Sequence, residues 1–259
     1  MKFEFEESPA LFDSPSQNAR VWTESWVALW GFCLNCGAQR LSRFENNRPV
    51  ADFVCSECAE EYELKSQKGR FGPKVNDGAY RTMLERLTAA NNPNLLLMNY
   101  DLARRAVTDL CVVPKQFFVP EVIEARKPLA PTARRAGWTG CNILLRDIPE
   151  AGKIYVVRDG ALLPKAAVLD RWRSTLFLRG RSADARGWLI DVMKCVEAIG
   201  RADFTLADVY AFEERLSRLY PGNNNVRPKI RQQLQVLRDQ GFIEFVGRGL
   251  YRMRAPSSQ

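Results

Sequence analysis

Apolar side chains recur at helical spacing between residues 17 and 30, where Ala19, Val21, Trp22, Trp26, Val27 and Leu29 predict an amphipathic helix. The period then shortens. Residues 49–54 and 62–66 read as short β-rich runs, 95–100 as a buried strand and 109–113 as another. Asp77 is placed to cap a helix over 78–90, which Asn91, Asn92 and Pro93 end. A late strand at 154–157 runs into the turn residues Asp159 and Gly160. Helices mixed with a central sheet predict an α/β core.

Residues 126–140 (RKPLAPTARRAGWTG) keep neither period. They are basic, contain proline and read as an ordered surface loop. A boundary falls near 180–185, giving a first domain over 1–182 and a second over 183–259. The second holds three helical stretches, at 186–199, 206–219 and 228–240. Thr205 is a good N-cap for the middle one, with Asp208 three residues on as a near match to a capping box. Gly241 stops the last helix, and strands at 242–246 and 250–253 flank Gly247, Arg248 and Gly249. Three helices followed by a hairpin form the winged-helix pattern. Residues 255–259 read as a disordered tail.

Composition narrows the chemistry. The 259 residues suit one large or two ordinary domains, and 46% of them are hydrophobic, enough for a sizeable core. No apolar run approaches the roughly 18 residues of a membrane span. The start, MKFEFEESPALFDS, lacks a signal peptide's basic beginning and apolar centre. A cytoplasmic protein without a membrane partner is expected, and in that compartment paired cysteines hold metal more often than disulfides. The chain has no histidine, which excludes Ser-His-Asp and Cys-His catalysis. Acid–base work then falls to carboxylates, lysine or metal-bound water. A formal charge of +8 points to a polyanionic partner.

Two Cys-x-x-Cys pairs, Cys33/Cys36 and Cys55/Cys58, are separated by 18 residues (37–54), as in a zinc ribbon that closes four thiolates around a structural Zn²⁺. Cys111, Cys141 and Cys195 stand alone in apolar surroundings and read as core thiols. Around the second pair lie Asp52, Glu63 and Lys65. Glu63 and Lys65, two apart, share a strand face, and Asp52 on the neighbouring run is able to face the same side. Two carboxylates suffice for Mg²⁺, which keeps several waters; Lys65 then orients the water or the phosphate. That is the D…(D/E)-x-K arrangement of a large nuclease superfamily. Solvated edge strands carry the same short pattern by chance. The β-rich flanks, the basic charge and the absent histidines favour the catalytic reading.

Two basic sets suit DNA. Lys127, Arg134 and Arg135, with Trp138, combine phosphate-binding charge with an aromatic able to stack on bases. In the helix at 228–240, Lys229, Arg231, Gln232, Gln235 and Arg238 are of the types that read base edges in the major groove. Arg248 at the hairpin tip is placed to touch a phosphate or enter a minor groove.

The segments FENNRPVADF with the cysteine pairs, ELKS, NDGAY, NNPN, RKPLAPTARRAGW, KIRQQLQVLRD and GRGLYR together resemble the DpnI-type methyl-directed restriction endonucleases, from about residue 17 to residue 252. The resemblance implies a PD-(D/E)xK nuclease core with an inserted zinc ribbon, followed by an α+β winged-helix domain. It implies a type II enzyme, a monomer in solution needing no protein partner, that cleaves double-stranded DNA at 5′-GATC-3′ when the adenine is N6-methylated. It places Asp52, Glu63 and Lys65 at the catalytic positions, with the Leu64 carbonyl as a further oxygen for Mg²⁺. Trp138 then lies close to the methylated adenines, and both domains read the same modified sequence. The extreme N-terminus and residues 101–109 depart from the family pattern and hold no candidate site. Two alternatives stand beside this reading: a nuclease of the same fold for another or unmethylated site, and a zinc-ribbon and winged-helix regulator that binds DNA without cutting.

Overall fold

The computed structural model describes residues 2–5, 12–44, 51–87, 89 and 92–254. The expected start of the β-rich run at 49–50, the expected helix end at 90–91 and the C-terminal tail at 255–259 lie outside them. Helix α1 (Pro15–Trp30) opens on a proline, whose fixed φ suits a first helical turn. It is followed by strands β1 (Ser42–Arg43), β2 (Phe53–Val54), β3 (Glu61–Lys68) and β4 (Val75–Ala79), helix α2 (Tyr80–Arg86), and strands β5 (Asn94–Asp101) and β6 (Ala106–Val113). Strands β7 (Ile123–Ala125), β8 (Gly140–Ile143), β9 (Ile154–Arg158) and β10 (Ala161–Leu162) lead into α3 (Lys165–Arg173). The C-terminal part runs α4 (Ala183–Ile199), β11 (Asp203–Thr205), α5 (Leu206–Tyr210), α6 (Glu213–Leu219), α7 (Val226–Asp239), β12 (Ile243–Gly247) and β13 (Leu250–Met253). No helix among the described residues is long and apolar enough to cross a membrane.

The main sheet has the order β1-β2-β3-β5-β6-β9-β10. Its β3–β5 pair is parallel and its other pairs antiparallel. A parallel pair needs a crossover, and β4 with α2 supplies it. Strand β5 is buried on both faces, which explains its unbroken apolar run. On one face Leu96, Met98, Val112 and Ile154 pack with Trp26 and Val27 of α1 and Val168 and Trp172 of α3. On the other, Leu95, Leu97, Cys111 and Val113 meet Phe117, Val122, Cys141 and Ile143. This second face also carries a smaller sheet, β4-β8-β7.

The mixed α/β core and the winged-helix unit match expectation; three local readings change. Asp77 caps no helix: it lies within β4, paired with Cys141 of β8, and α2 starts only at Tyr80 with no side-chain cap. Pairing with β8 outweighs local capping there. The stretch expected as one helix at 206–219 is two, α5 and α6, separated at Ala211 and Phe212. The wing gains a third strand, since β11 pairs with β13. The Thr205 capping box is present, with the Thr205 N–H donating to Asp208 at 2.7 Å and the Asp208 N–H to the Thr205 hydroxyl at 3.2 Å.

Helix α4 joins the two halves. Its Trp188, Leu189, Val192 and Val196 belong to the same buried cluster as Phe117, Val122 and Ile148 on one side and Ile230, Leu234 and Leu237 on the other. Polar contacts lock this seam. Arg186 donates to the Leu87 carbonyl at 3.1 Å, Lys194 pairs with Asp147 at 3.1 Å, and the Glu150 N–H donates to Glu197 at 2.9 Å.

A buried ionic cluster ties the end of the first half to the cysteine region. Glu60, 5% exposed, accepts from Asn94 at 2.9 Å and pairs with Lys115 at 3.1 Å and Arg179 at 3.0 Å. Arg179 also donates to Asn35, between Cys33 and Cys36, at 3.2 Å. Glu60→Ala removes the carboxylate these cations share. Because Lys115 and Arg179 keep some solvent, the expected loss is about 2–3 kcal/mol, below that for a fully buried pair. Urea unfolding checks it, and a change under about 0.5 kcal/mol would show that the cluster does not hold this region.

Candidate active site and metal centre

Each cysteine pair sits on a knuckle of one design. The Gly37 N–H donates to the Cys33 carbonyl and the Ala59 N–H to the Cys55 carbonyl, both at 2.9 Å. The residue four past the first cysteine is left-handed in both, Gly37 at φ 82° and Ala59 at φ 57°. For alanine that conformation costs about 1–2 kcal/mol, so the knuckle geometry overrides local preference. The four sulfurs all lie within 4.8 Å of one another, with Cys33–Cys58 and Cys36–Cys55 each at 3.5 Å. Tetrahedral Zn–S bonds of about 2.3 Å place sulfurs about 3.8 Å apart, so the donor set fits Zn²⁺ in type, number and spacing. Burial pushes the Cys33 thiol up, and a coordinating cation would draw its proton off. The Tyr62 hydroxyl, 3.3 Å from the Cys33 sulfur, accepts the Leu34 N–H at 3.1 Å and so braces β3 against the first knuckle. Cys111, Cys141 and Cys195 are buried in the core, outside this cluster.

Strand alternation sorts β3. Tyr62 and Leu64 pack into the core beneath α1, where the Ser66 hydroxyl lies 3.1 Å from that of Thr23. Glu63 and Lys65 take the opposite face. Asp52 precedes β2; its N–H donates to the Tyr62 carbonyl at 2.9 Å, and its carboxylate accepts the Leu64 N–H at 2.7 Å. The Leu64 peptide therefore lies against the Asp52 carboxylate. The Lys65 ammonium pairs with Glu63 at 2.5 Å and with Asp77 at 2.9 Å. The three expected residues thus converge, and Asp77 joins them from β4. No local pattern could have marked Asp77, because its position is set by pairing with β8.

The electrostatics follow from this crowding. Burial pushes the Glu63 carboxyl up to about 7, against the pull of Lys65, and Asp77 and Asp52 add to the rise. Burial also raises Asp52, partly countered by the Leu64 N–H. Burial works against the Lys65 charge, yet Glu63 and Asp77 more than offset it and hold the ammonium above its usual range. Carboxylates that repel one another around a retained cation form a site selective for positive charge. Asp52, Glu63 and the Leu64 carbonyl are hard oxygen donors of the kind Mg²⁺ takes.

The loop at 126–140 is ordered by its own hydrogen bonds, Leu129 N–H to the Trp138 carbonyl at 3.0 Å and Arg126 N–H to the Gly140 carbonyl at 2.9 Å. Lys127, Arg134 and Arg135 are exposed, and the Arg135 guanidinium lies 4.8 Å from the centre of the half-buried Trp138 ring. That ring folds over Gly140, where an added Cβ would come within 2.9 Å of it. The loop ends on β8, and the Tyr80 N–H donates to the Thr139 carbonyl at 3.0 Å, so it borders the strand bearing Asp77. On α7, Arg231, Gln232 and Gln235 are exposed, whereas Lys229 is half-buried, its ammonium 6.0 Å from the centre of the Trp188 ring. Arg238 is held by Asp239 at 2.8 Å. Arg248 is exposed at the wing turn, beside two apolar residues that sequence reading passed over, Phe245 and Val246. It also passed over a cleft of about 290 Å³ lined by Arg70, Arg146, Lys153 and Arg158.

Comparison with known families gives two matches. The family model DpnI, described as the Dam-replacing family, matches residues 1–181. The model DpnI_C, described as the Dam-replacing HTH domain, matches residues 184–253.

Because the four-cysteine cluster joins the end of α1 to the β2–β3 turn, losing a metal held there should unfold the strands that carry Asp52 and Glu63. Cys33→Ser is expected to abolish stoichiometric zinc and lower the melting temperature by about 10 °C or more. Elemental analysis with a thermal melt checks this; a zinc-free variant melting like the parent would contradict it.

Proposed function

We propose, for a chain that belongs to the DpnI (Dam-replacing) family of methylation-dependent restriction endonucleases, a type II enzyme that cleaves duplex 5′-GATC-3′ when its adenine is N6-methylated. The observation that carries the proposal is the convergence of Asp52, Glu63 and Lys65 beside the strand pair that ends the Trp138 loop. The catalytic unit is the PD-(D/E)xK-type domain of residues 1–182, with residues 183–259 as a second reader of DNA.

Asp52, Glu63 and the Leu64 carbonyl would hold Mg²⁺, and the four cysteines Zn²⁺. A divalent cation bound there supplies charge to the scissile phosphate and acidifies water. Lys65 contributes a second positive charge, fixed by its ion pairs, to orient the phosphate or the attacking water. With no histidine in the chain and the Lys65 proton held by two carboxylates, the leaving oxygen takes its proton from solvent.

Specificity needs more than one contact. Burying one methyl is worth about 0.8 kcal/mol, roughly fourfold. Two methyls per palindrome reach about 1.6 kcal/mol, roughly 15-fold, and a second domain multiplies the preference only by reading the sequence in a separate step. Trp138 offers the apolar surface in the first domain, with Lys127, Arg134 and Arg135 on phosphates. In the second, Arg231, Gln232 and Gln235 suit guanine and adenine edges in the major groove. Arg248 suits a phosphate or the minor groove, and Lys229 contributes charge from the base of α7.

Digestion of a plasmid methylated at GATC adenines, beside its unmethylated counterpart, tests the proposal with Mg²⁺ present. The parent should cut only the methylated form. Asp52→Ala should cut neither while still binding methylated duplex, since it removes a metal ligand and no base contact. Retained cleavage would rule out this site.

The raised Glu63 carboxyl also sets a pH dependence. A cation must displace its proton, so affinity is full above about pH 7 and is lost as pH falls below it. Half-saturating Mg²⁺ for cleavage should rise about tenfold between pH 8 and pH 6. An unchanged Mg²⁺ requirement would show that Glu63 is not a ligand.

A further inference from the structure

Asp77 takes no part in the reaction just described, yet its carboxylate is only 8% exposed and lies 2.9 Å from the Lys65 ammonium. It comes from another sheet than Lys65, at the one place where β4 is irregular. Asp77 pairs with Cys141, Gly78 is passed over, and Ala79 pairs with Gly140. Such a bulge re-aims the side chains next to it, and here the re-aimed neighbour is the lysine's partner.

We propose that Asp77 is a positioning residue for cleavage, which holds the Lys65 ammonium in place and ties that place to the sheet carrying the Trp138 loop. The inference rests on the reading of Asp52, Glu63 and Lys65 as the active site. Lysine loses about 2 kcal/mol of rotamer freedom when fixed, so its tip needs a firm partner. Glu63 grips it with Oε1, but a carboxylate shared with a bound cation holds lysine less tightly. Asp77 lies outside the proposed ligand set and keeps its grip throughout.

Its own position is set from the loop side. The Trp138 ring fills the space over Gly140, Gly140 pairs with Ala79, and the Thr139 carbonyl accepts the Tyr80 N–H at 3.0 Å. A shift of the Trp138 ring is therefore felt at the bulge beside Asp77. This chain of contacts connects the surface proposed to meet the base with the group proposed to meet the phosphate.

The test uses the full-length protein and single-turnover cleavage of methylated duplex. Asp77→Asn keeps the shape and removes the charge. It should slow cleavage about 10- to 100-fold while DNA affinity stays within about threefold, and Asp77→Glu should restore most of the rate. In a Lys65→Met background, Asp77→Asn should change the residual rate by less than about threefold, because the two residues act as one unit. Fully additive losses, or a parental rate for Asp77→Asn, would overturn the inference. If Asp77→Asn melts early, the double variant, which removes both charges, decides. A rate equal to that of Lys65→Met supports the inference, and one more than about tenfold lower overturns it. Lys65→Met cutting at the parental rate would instead overturn the active-site reading itself.

Discussion

Four sulfurs gathered within 4.8 Å are the constraint on which the site depends. The β2–β3 hairpin that presents Asp52 and Glu63 has only two paired positions, Phe53 with Tyr62 and Val54 with Glu61. A ladder that short is not stable by itself in water. It is held from its turn, where Cys55 and Cys58 meet Cys33 and Cys36 at the end of α1, and from its flank, where Glu60 gathers Lys115, Arg179 and Asn94. The Tyr62 hydroxyl closes the arrangement by touching both Cys33 and the Leu34 amide. A soft-donor cluster at the turn thus braces a group of hard oxygen donors a few residues away, and the two donor types suit different metals.

The carboxylate–lysine cluster has the opposite character. The cysteine knuckles gather four donors of one kind, whereas Asp52, Glu63 and Asp77 are crowded so that the Glu63 carboxyl is pushed up to about 7. Lys65 compensates only part of that repulsion. A folded protein tolerates the arrangement because the hairpin, β5 and β4 are fixed by contacts elsewhere, and ionisable groups perturbed in this way cluster at functional sites.

What the sequence made legible was local or strongly periodic. The cysteine spacing, the Glu63–Lys65 alternation, the apolar run of β5 and the Thr205–Asp208 capping box each draw their meaning from neighbours a few positions away. What escaped was set at long range. Asp77 resembles a helix cap until β8, more than sixty residues on, claims it as a strand residue. Lys229 resembles an outward-facing base reader until Trp188 draws it back. The third strand of the wing likewise follows from pairing with β13, more than forty residues on.

Helix α4 carries a consequence for how such a protein could be assembled or rearranged. Its apolar side chains belong to one cluster with both halves of the chain, and Arg186 is spent on carbonyls of the first half. The C-terminal unit is therefore not a cassette to be exchanged at a linker. A graft cut just before Ala183 would carry a strip of core outward, and one cut after Ile199 would leave the winged helix without its central packing. Substitution on the exposed face of α7 or at the wing is tolerated more readily than domain shuffling, since those surfaces vary without opening the seam.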